Sequence, residues 1–390
     1  MRTLSLKKLF VSLMTCVIAL FPVAGCNAAL QSKTGSLEAE LDVLVPRLLE
    51  ERGVPGVSIA VIEGGNVILS KGYGVADKNK GTSVKPETRF QIGSVSKTLT
   101  AWGVMRLVER ELVDLDAPVD RYLKRWHLPK SDFDSNKVTV RALLSHTSGL
   151  SIYPASASIN LYLPGEKMPS LEESLSRSWG SYGALRVIAE PSTRFEYNNG
   201  NYIVLQLMIE DVTGEPFADY MQRTLFKPLG MSNTGYAWTP ELQAVVATPY
   251  NPNGEAWRHY QGVGQGSGGV YTTASDLARF VAAAMPDVKG TTAGRGVLKP
   301  ETARQMLVPA DNTNGSYGLG YKMFPVSTEV QLISHDGANE GWRAMFLIHP
   351  QKAHGIVILT NSDIGGKIMG PIVCAWSERT TINMSPLCVR

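Results

Sequence analysis

Phe90-Gln91-Ile92-Gly93-Ser94-Val95-Ser96-Lys97-Thr98-Leu99-Thr100-Ala101-Trp102 is the stretch on which the reading of this chain turns. Its first four residues read as a short extended approach. From Ser94 onward, Ala101, Trp102, Met105, Val108 and Leu112 recur at spacings of one, three and four, which predicts a helix with one buried face. Ser94 and Lys97 then project from the same side of its first turn, where free backbone N–H groups and the positive end of the helix dipole gather. A serine hydroxyl alone is a poor nucleophile, and a lysine at its reference pKa of about 10.4 rarely acts as a base at neutral pH. Desolvation and nearby positive charge lower the lysine pKa, after which its neutral amine can take the serine proton. A second Ser-x-x-Lys, Ser5 to Lys8, sits in a leader segment and lacks this context.

Two further stretches follow in order. Tyr197-Asn198-Asn199 is the only Tyr-x-Asn triplet. A phenol beside a serine and a lysine can relay a proton to a leaving group, and Asn199 can hold a substrate amide or ester by hydrogen bonds. The competing reading is a turn, since Asn198, Asn199, Gly200 and Asn201 precede an apolar helix from Tyr202 to Val212 that stops at Gly214 and Pro216. His335-Asp336-Gly337-Ala338 comes after a strand-like alternation from Val330 to Ser334, with a further strand from Trp342 to Ile348. The N–H groups of Ser94 and Ala338 would form a two-donor oxyanion hole. Lys33-Thr34-Gly35 precedes the nucleophile in a polar stretch without strand pattern and is set aside.

Ser-x-x-Lys, Tyr-x-Asn and His-x-Gly in this order resemble the serine β-lactamase and penicillin-binding superfamily, in the branch of class C β-lactamases, D-Ala-D-Ala carboxypeptidases, D-aminopeptidases and family VIII esterases. Leu143 to Leu150, Gly268 to Ala274 and Gly337 to Trp342 agree, and the likeness spans about residues 45 to 362. It implies a β-lactamase/transpeptidase-like fold and an acyl-enzyme on Ser94, with Lys97 and Tyr197 as proton carriers and Asn199 and His335 in the cleft. No Ser-Asp-Asn triplet is present. His335 stands where β-lactamases usually carry lysine, and a histidine is largely neutral at pH 7 and charged only in acid. The resemblance therefore implies a D-Ala peptidase or amidase with weak β-lactam turnover at most, or a family VIII-like carboxylesterase. A penicillin- or peptidoglycan-binding lipoprotein without turnover is the alternative of another class. Arg343 either supplies the cation that His335 lacks or is a solvated strand residue.

Arg2, Lys7 and Lys8 precede an apolar stretch from Leu9 to Ala24, the pattern of a secretion signal over 1–25. Val23-Ala24-Gly25-Cys26 resembles a bacterial lipobox, which implies lipidation at Cys26, a membrane anchor and a periplasmic location; an ordinary cleavage site with an incidental cysteine is the alternative. Without the signal the chain holds 35 basic and 35 acidic side chains, a balance with no electrostatic appetite for nucleic acid. No spacing indicates a metal site or a cofactor. Cys374 and Cys388 are left free to pair, with geometry open.

The expected architecture is α/β (α+β), an antiparallel sheet flanked by helices with a mostly helical lobe inserted at about 115–310. Val57 to Ile62 and Val67 to Tyr73 read as a hairpin through Glu63-Gly64-Gly65-Asn66, and strand signals return only after Leu332. Ser170 and Glu173 predict a capping box for a helix from Leu171 to Ser178, and Thr273 with Asp276 opens another over Ser275 to Met285. The domain is set at 45–365, after a linker at 26–44 and before a tail at 366–390 packed on it. A Ser-His-Asp hydrolase of the α/β type would need a G-x-S-x-G elbow, which the sequence lacks; Gly56-Val57-Ser58-Ile59-Ala60 comes closest but reads as strand. Residues 151–194 carry few of that family's signals, and their role is left open.

Overall fold

Strands from the early and late parts of the described chain meet in one sheet. The computed structural model describes residues 36–154, 161–179, 181–325, 331–380 and 388. Its strands are β1 (Gly56–Glu63), β2 (Asn66–Asp77), β3 (Thr82–Ser83), β4 (Phe90–Gln91), β5 (Tyr271–Thr272), β6 (Lys322–Pro325), β7 (Gln331–Asn339), β8 (Trp342–His349) and β9 (His354–Thr360). Seven of them form an antiparallel sheet in the order β3-β2-β1-β9-β8-β7-β6, while β4 and β5 pair separately. The seam is β1 against β9, running from Val57 opposite Thr360 to Ile62 opposite Gly355.

β1 is apolar on both faces because both are covered. Val57, Ile59 and Val61 pack with Leu41, Val45 and Leu48 of helix α1 (Leu37–Arg52), and Ala60 and Ile62 join the core on the other side. Helix α2 (Ser96–Glu109) carries Lys97; α3 (Asn199–Thr213) ends on Gly214 at a φ of 72°, as the sequence predicts. Helix α4 (Ala274–Ala283) opens with Thr273 accepting from the Asp276 N–H, and α5 (Gly366–Arg379) lies against α1. The capping box at Ser170 and Glu173 is present on Leu171–Ser176.

Three readings need correction. Residues 37–44, assigned to a linker, form the first half of α1, where Leu41 is buried under the sheet. Leu112 lies beyond the end of α2 and is 45% exposed, because the chain leaves the helix at Arg110. Helix α4 falls inside the expected helical lobe by number, yet it packs on β1, β2 and β9 and belongs to the sheet. The tail at 366–390 includes α5, which packs against α1, and the pairing left open is made: Cys374 is bonded to Cys388. The leader at 1–25 and Cys26 lie outside the described residues. Among the described residues no helix is long and apolar enough to cross a membrane.

Candidate active site

Ser94 lies in a single 3-10 turn, Gly93–Val95, that feeds directly into α2. The turn brings the two side chains of the Ser-x-x-Lys pair together: Lys97 Nζ is 3.0 Å from Ser94 Oγ. Lys97 is fully buried, and its other partners are Asn199 Oδ1 and the Ser267 carbonyl, both at 2.7 Å. No carboxylate touches it among the described hydrogen bonds and ion pairs. A buried ammonium without a counter-charge is strongly disfavoured. Burial drives the Lys97 pKa well below the lysine range; the charge of Lys322 pushes the same way and Asp336 opposes. The contacts fit a neutral amine: two N–H bonds go to obligate acceptors, and the remaining lone pair faces the serine hydroxyl.

The Tyr-x-Asn triplet sits at the start of α3, so the turn and site readings describe the same residues. Asn198 is the cap, accepting from the N–H groups of Gly200 and Tyr153 and donating to the Leu150 and Ser151 carbonyls. Its neighbours on either side face Lys97. Asn199 binds the amine directly, and the Tyr197 ring centre is 5.1 Å from Lys97 Nζ. The Tyr197 hydroxyl is buried beside the Ser94 side chain. Burial raises its pKa above the ordinary tyrosine value, against a smaller downward pull from Ser94, so the phenol keeps its proton.

His335 lies within β7, fully buried, rather than at a strand end. Its Nδ1–H donates to the Asp336 carbonyl at 2.8 Å, which leaves Nε2 to accept from the Tyr317 hydroxyl at 3.0 Å. Burial, reinforced by Lys322 and Lys97, pushes its pKa down to about 3. The sequence led us to expect a charge in acid; the structure keeps this imidazole neutral well below pH 6.

Two glycines let the nucleophile turn approach β7. A Cβ on Gly337 would stand 2.0 Å from the Ile92 carbonyl and 3.0 Å from Ser94 N. A Cβ on Gly93, whose φ is 49°, would stand 2.8 Å from Ala338 N. The two amides of the expected oxyanion hole therefore come from backbones in direct contact. β6 pairs only with Gln331 to Ser334, which leaves the β7 edge beyond without a strand on that side. Gly337→Ala is expected to force this contact apart and lower kcat about 100-fold, the usual scale for a displaced oxyanion donor. Steady-state kinetics beside a melting curve checks it, and a folded variant with normal kcat refutes it.

A family model described as Beta-lactamase matches residues 41–369. The chain belongs to the beta-lactamase family. Protein flp of Staphylococcus aureus (strain NCTC 8325 / PS 47) is 23% identical over 345 residues, covering 84% of this chain and 64% of that protein, so the chain spans less than two thirds of that relative. The octameric penicillin-binding protein homologue from Pyrococcus abyssi superposes with a TM-score of 0.68 at 25% identity, covering 88% of this chain and 78% of that one. The beta-lactamase/D-alanine carboxypeptidase from Pseudomonas syringae superposes with a TM-score of 0.70 at 21% identity, covering 89% and 99%, a likeness of fold. This is a family of serine hydrolases.

In this beta-lactamase-family chain the cation beside the site is one the sequence reading passed over. Lys322 pairs with Asp336, and its Nζ is 5.8 Å from the Tyr197 ring centre. Arg343 is committed elsewhere. It forms an ion pair with Asp363 at 3.0 Å and donates to the Asn339 and Trp342 carbonyls, bracing the β7–β8 turn. Ser267 and Tyr317 were also missed. Ser267 acts through its carbonyl, which no side-chain pattern reveals, and Tyr317 meets His335 through an irregular loop.

A small cavity opens beside Asn199 and Ser267. It is lined on the apolar side by Tyr153, Leu161 and Ile203 and on the polar side by Gln91 and Asn339, and holds about 60 Å³. Asn339 Nδ2 donates to Gln91 Oε1 at 2.7 Å and to the Gly268 carbonyl at 3.1 Å, which fixes the polar wall.

Proposed function

We propose that this chain is an exported hydrolase that works through an acyl-enzyme on Ser94. The carrying observation is Lys97, buried without a counter-charge and aimed at Ser94 Oγ from 3.0 Å. Its neutral amine takes the hydroxyl proton as Oγ attacks the substrate carbonyl carbon. The oxyanion forms against the amides of Ser94 and Ala338. Tyr197, still protonated, gives its proton to the leaving group as the scissile bond breaks and recovers one from Lys97. Water then attacks the acyl-enzyme with the same groups acting in reverse, releasing the acid and restoring Ser94. Asn199 holds Lys97 and borders the substrate cavity.

The substrates we propose are D-alanyl peptides of the cell-wall type, with weak β-lactam turnover. Lys322 supports this, since an ammonium beside the Tyr197 ring suits a terminal carboxylate that a neutral His335 does not attract. The fold shared with a D-alanine carboxypeptidase agrees with it. One observation favours carboxylesterase action instead: Asp336 already neutralises Lys322, so an uncharged ester meets no unpaired cation.

Lys322→Ala separates the two. Under the peptidase reading it raises KM for a peptide ending in D-Ala-D-Ala about tenfold more than KM for p-nitrophenyl acetate, as loss of a charged contact worth about 1.4 kcal/mol would, while the effect of its charge on Lys97 reaches both substrates alike. Equal effects on both substrates would count against it. Nitrocefin in the same panel, with intact-mass spectra, tests lactam turnover and covalent trapping together.

The leader supports export, and Cys26 supports a lipid anchor on the periplasmic side of the envelope. Cys26→Ser is expected to move the full-length protein from the membrane fraction to the soluble one.

A further inference from the structure

His146 touches the site from behind, and no step above uses it. It sits in the stretch Leu143 to Leu150, is 1% exposed, and has a left-handed φ of 59°. That backbone twist turns its carbonyl and its ring toward the same neighbour. The carbonyl accepts the N–H of Glu196 at 2.8 Å, and ring Nδ1 accepts the N–H of Asn198 at 3.2 Å. The residue between those two is Tyr197. Its ring lies on the imidazole with centroids 4.3 Å apart and planes tilted by 39°. Tyr197 is thus gripped before, behind and on its face by one side chain and its own main chain.

The hydrogen bonds also set the tautomer. Asn201 Nδ2 lies 3.1 Å from His146 Nδ1, and Asn201 Oδ1 accepts from the Ser148 hydroxyl at 2.7 Å, which leaves the amide nitrogen to donate. With two donors aimed at Nδ1, the ring proton is on Nε2. That atom is buried with no oxygen or nitrogen partner, and the ring is packed edge-on to Tyr317 with centroids 5.0 Å apart. Only the neutral imidazole keeps Nδ1 as an acceptor. Burial holds His146 well below the usual histidine pKa, and Lys97, His335 and Lys322 reinforce the effect.

We infer that His146 is the positioning residue for Tyr197, fixing its phenol against Ser94 and Lys97 through both flanking amides and the ring stack. The inference rests on the proton-relay reading of Tyr197 given above. Beyond the Ser94 side chain beside it, the phenol has no polar contact among the described hydrogen bonds to hold the ring in place. A shift of the order of 1 Å in such a group costs about 100-fold in rate.

His146→Asn tolerates the left-handed backbone and keeps a short acceptor near the Asn198 N–H, while removing the ring. His146→Ala removes both. The expected result is a fall in kcat with little change in KM, about tenfold for His146→Asn and about 100-fold for His146→Ala. The pH profile of kcat should move with it, because the phenol shifts relative to the charges around it: Lys97 on α2, Asp336 on β7 and Lys322 on β6, with His335, Tyr202 and Tyr317 as the other titratable neighbours. If His146→Ala does not fold, Asn201→Asp serves instead: its carboxylate draws the proton onto Nδ1 and takes the acceptor from Asn198 while the ring stays. Folded variants with wild-type kcat and a superimposable pH profile overturn the inference, as does an equal loss in His146→Asn and His146→Ala. Tyr197→Phe is measured alongside. If it stays active, the relay reading itself has failed; if it is inactive while the His146 variants behave as wild type, only the positioning role has.

Discussion

Ser94→Ala is expected to reduce hydrolysis of an activated ester roughly a thousandfold or more, and to abolish any covalent adduct with a penicillin. The structure makes this a clean substitution. Lys97 keeps its bonds to Asn199 and Ser267, at 2.7 Å each, so the amine stays in place when Oγ is removed. The Gly93 and Gly337 contacts are made by backbone and survive as well. Stopped assays with p-nitrophenyl acetate and intact-mass spectra after exposure to penicillin check it. An adduct that persists on the variant would move the nucleophile to another residue.

Lys97→Met is expected to cost a similar factor in kcat/KM while leaving the protein folded, because methionine fills much the same space and removes a buried amine that has no counter-charge. The pH profile carries the sharper test. Only the neutral amine accepts the serine proton, so activity of the wild type falls as pH drops through the Lys97 pKa, which burial sets well below 10.5. His335 does not produce that limb, since burial and the charges of Lys322 and Lys97 hold its pKa far below the usual histidine range. The residual activity of Lys97→Met should therefore lack the limb, and His335→Gln should retain it. A profile unchanged by Lys97→Met would remove lysine from the base role.

What the sequence made legible was local. Ser94 and Lys97 fall within one turn, so spacing alone put them together. The capping box at Ser170, the stop at Gly214 and the hairpin around Gly64 and Gly65 are read within a few residues of where they act. What escaped depends on distant partners. Lys322 matters because β6 pairs it with Ser334, yet this four-residue strand exposes Phe324 and Pro325 and has no apolar alternation to announce it. Arg343 looked available until Asp363 was beside it. α1 was cut in half because its buried positions, Leu41, Val45 and Leu48, gain meaning only against β1 and α5, while Val43 among them is 75% exposed. His146 stood inside a quoted motif with no role, since its two grips on Tyr197 span about fifty residues.

The β1–β9 seam has a consequence for the newborn chain. Val57 waits for Thr360, and the strand that carries Ala338 is anchored to that seam through β8. A growing polypeptide can present the whole Ser94–Lys97 turn hundreds of residues before the far half of its oxyanion cradle has been synthesised. Contacts so remote in sequence close late. Until the last strand docks, the amide of Ala338 has no fixed place beside Ser94.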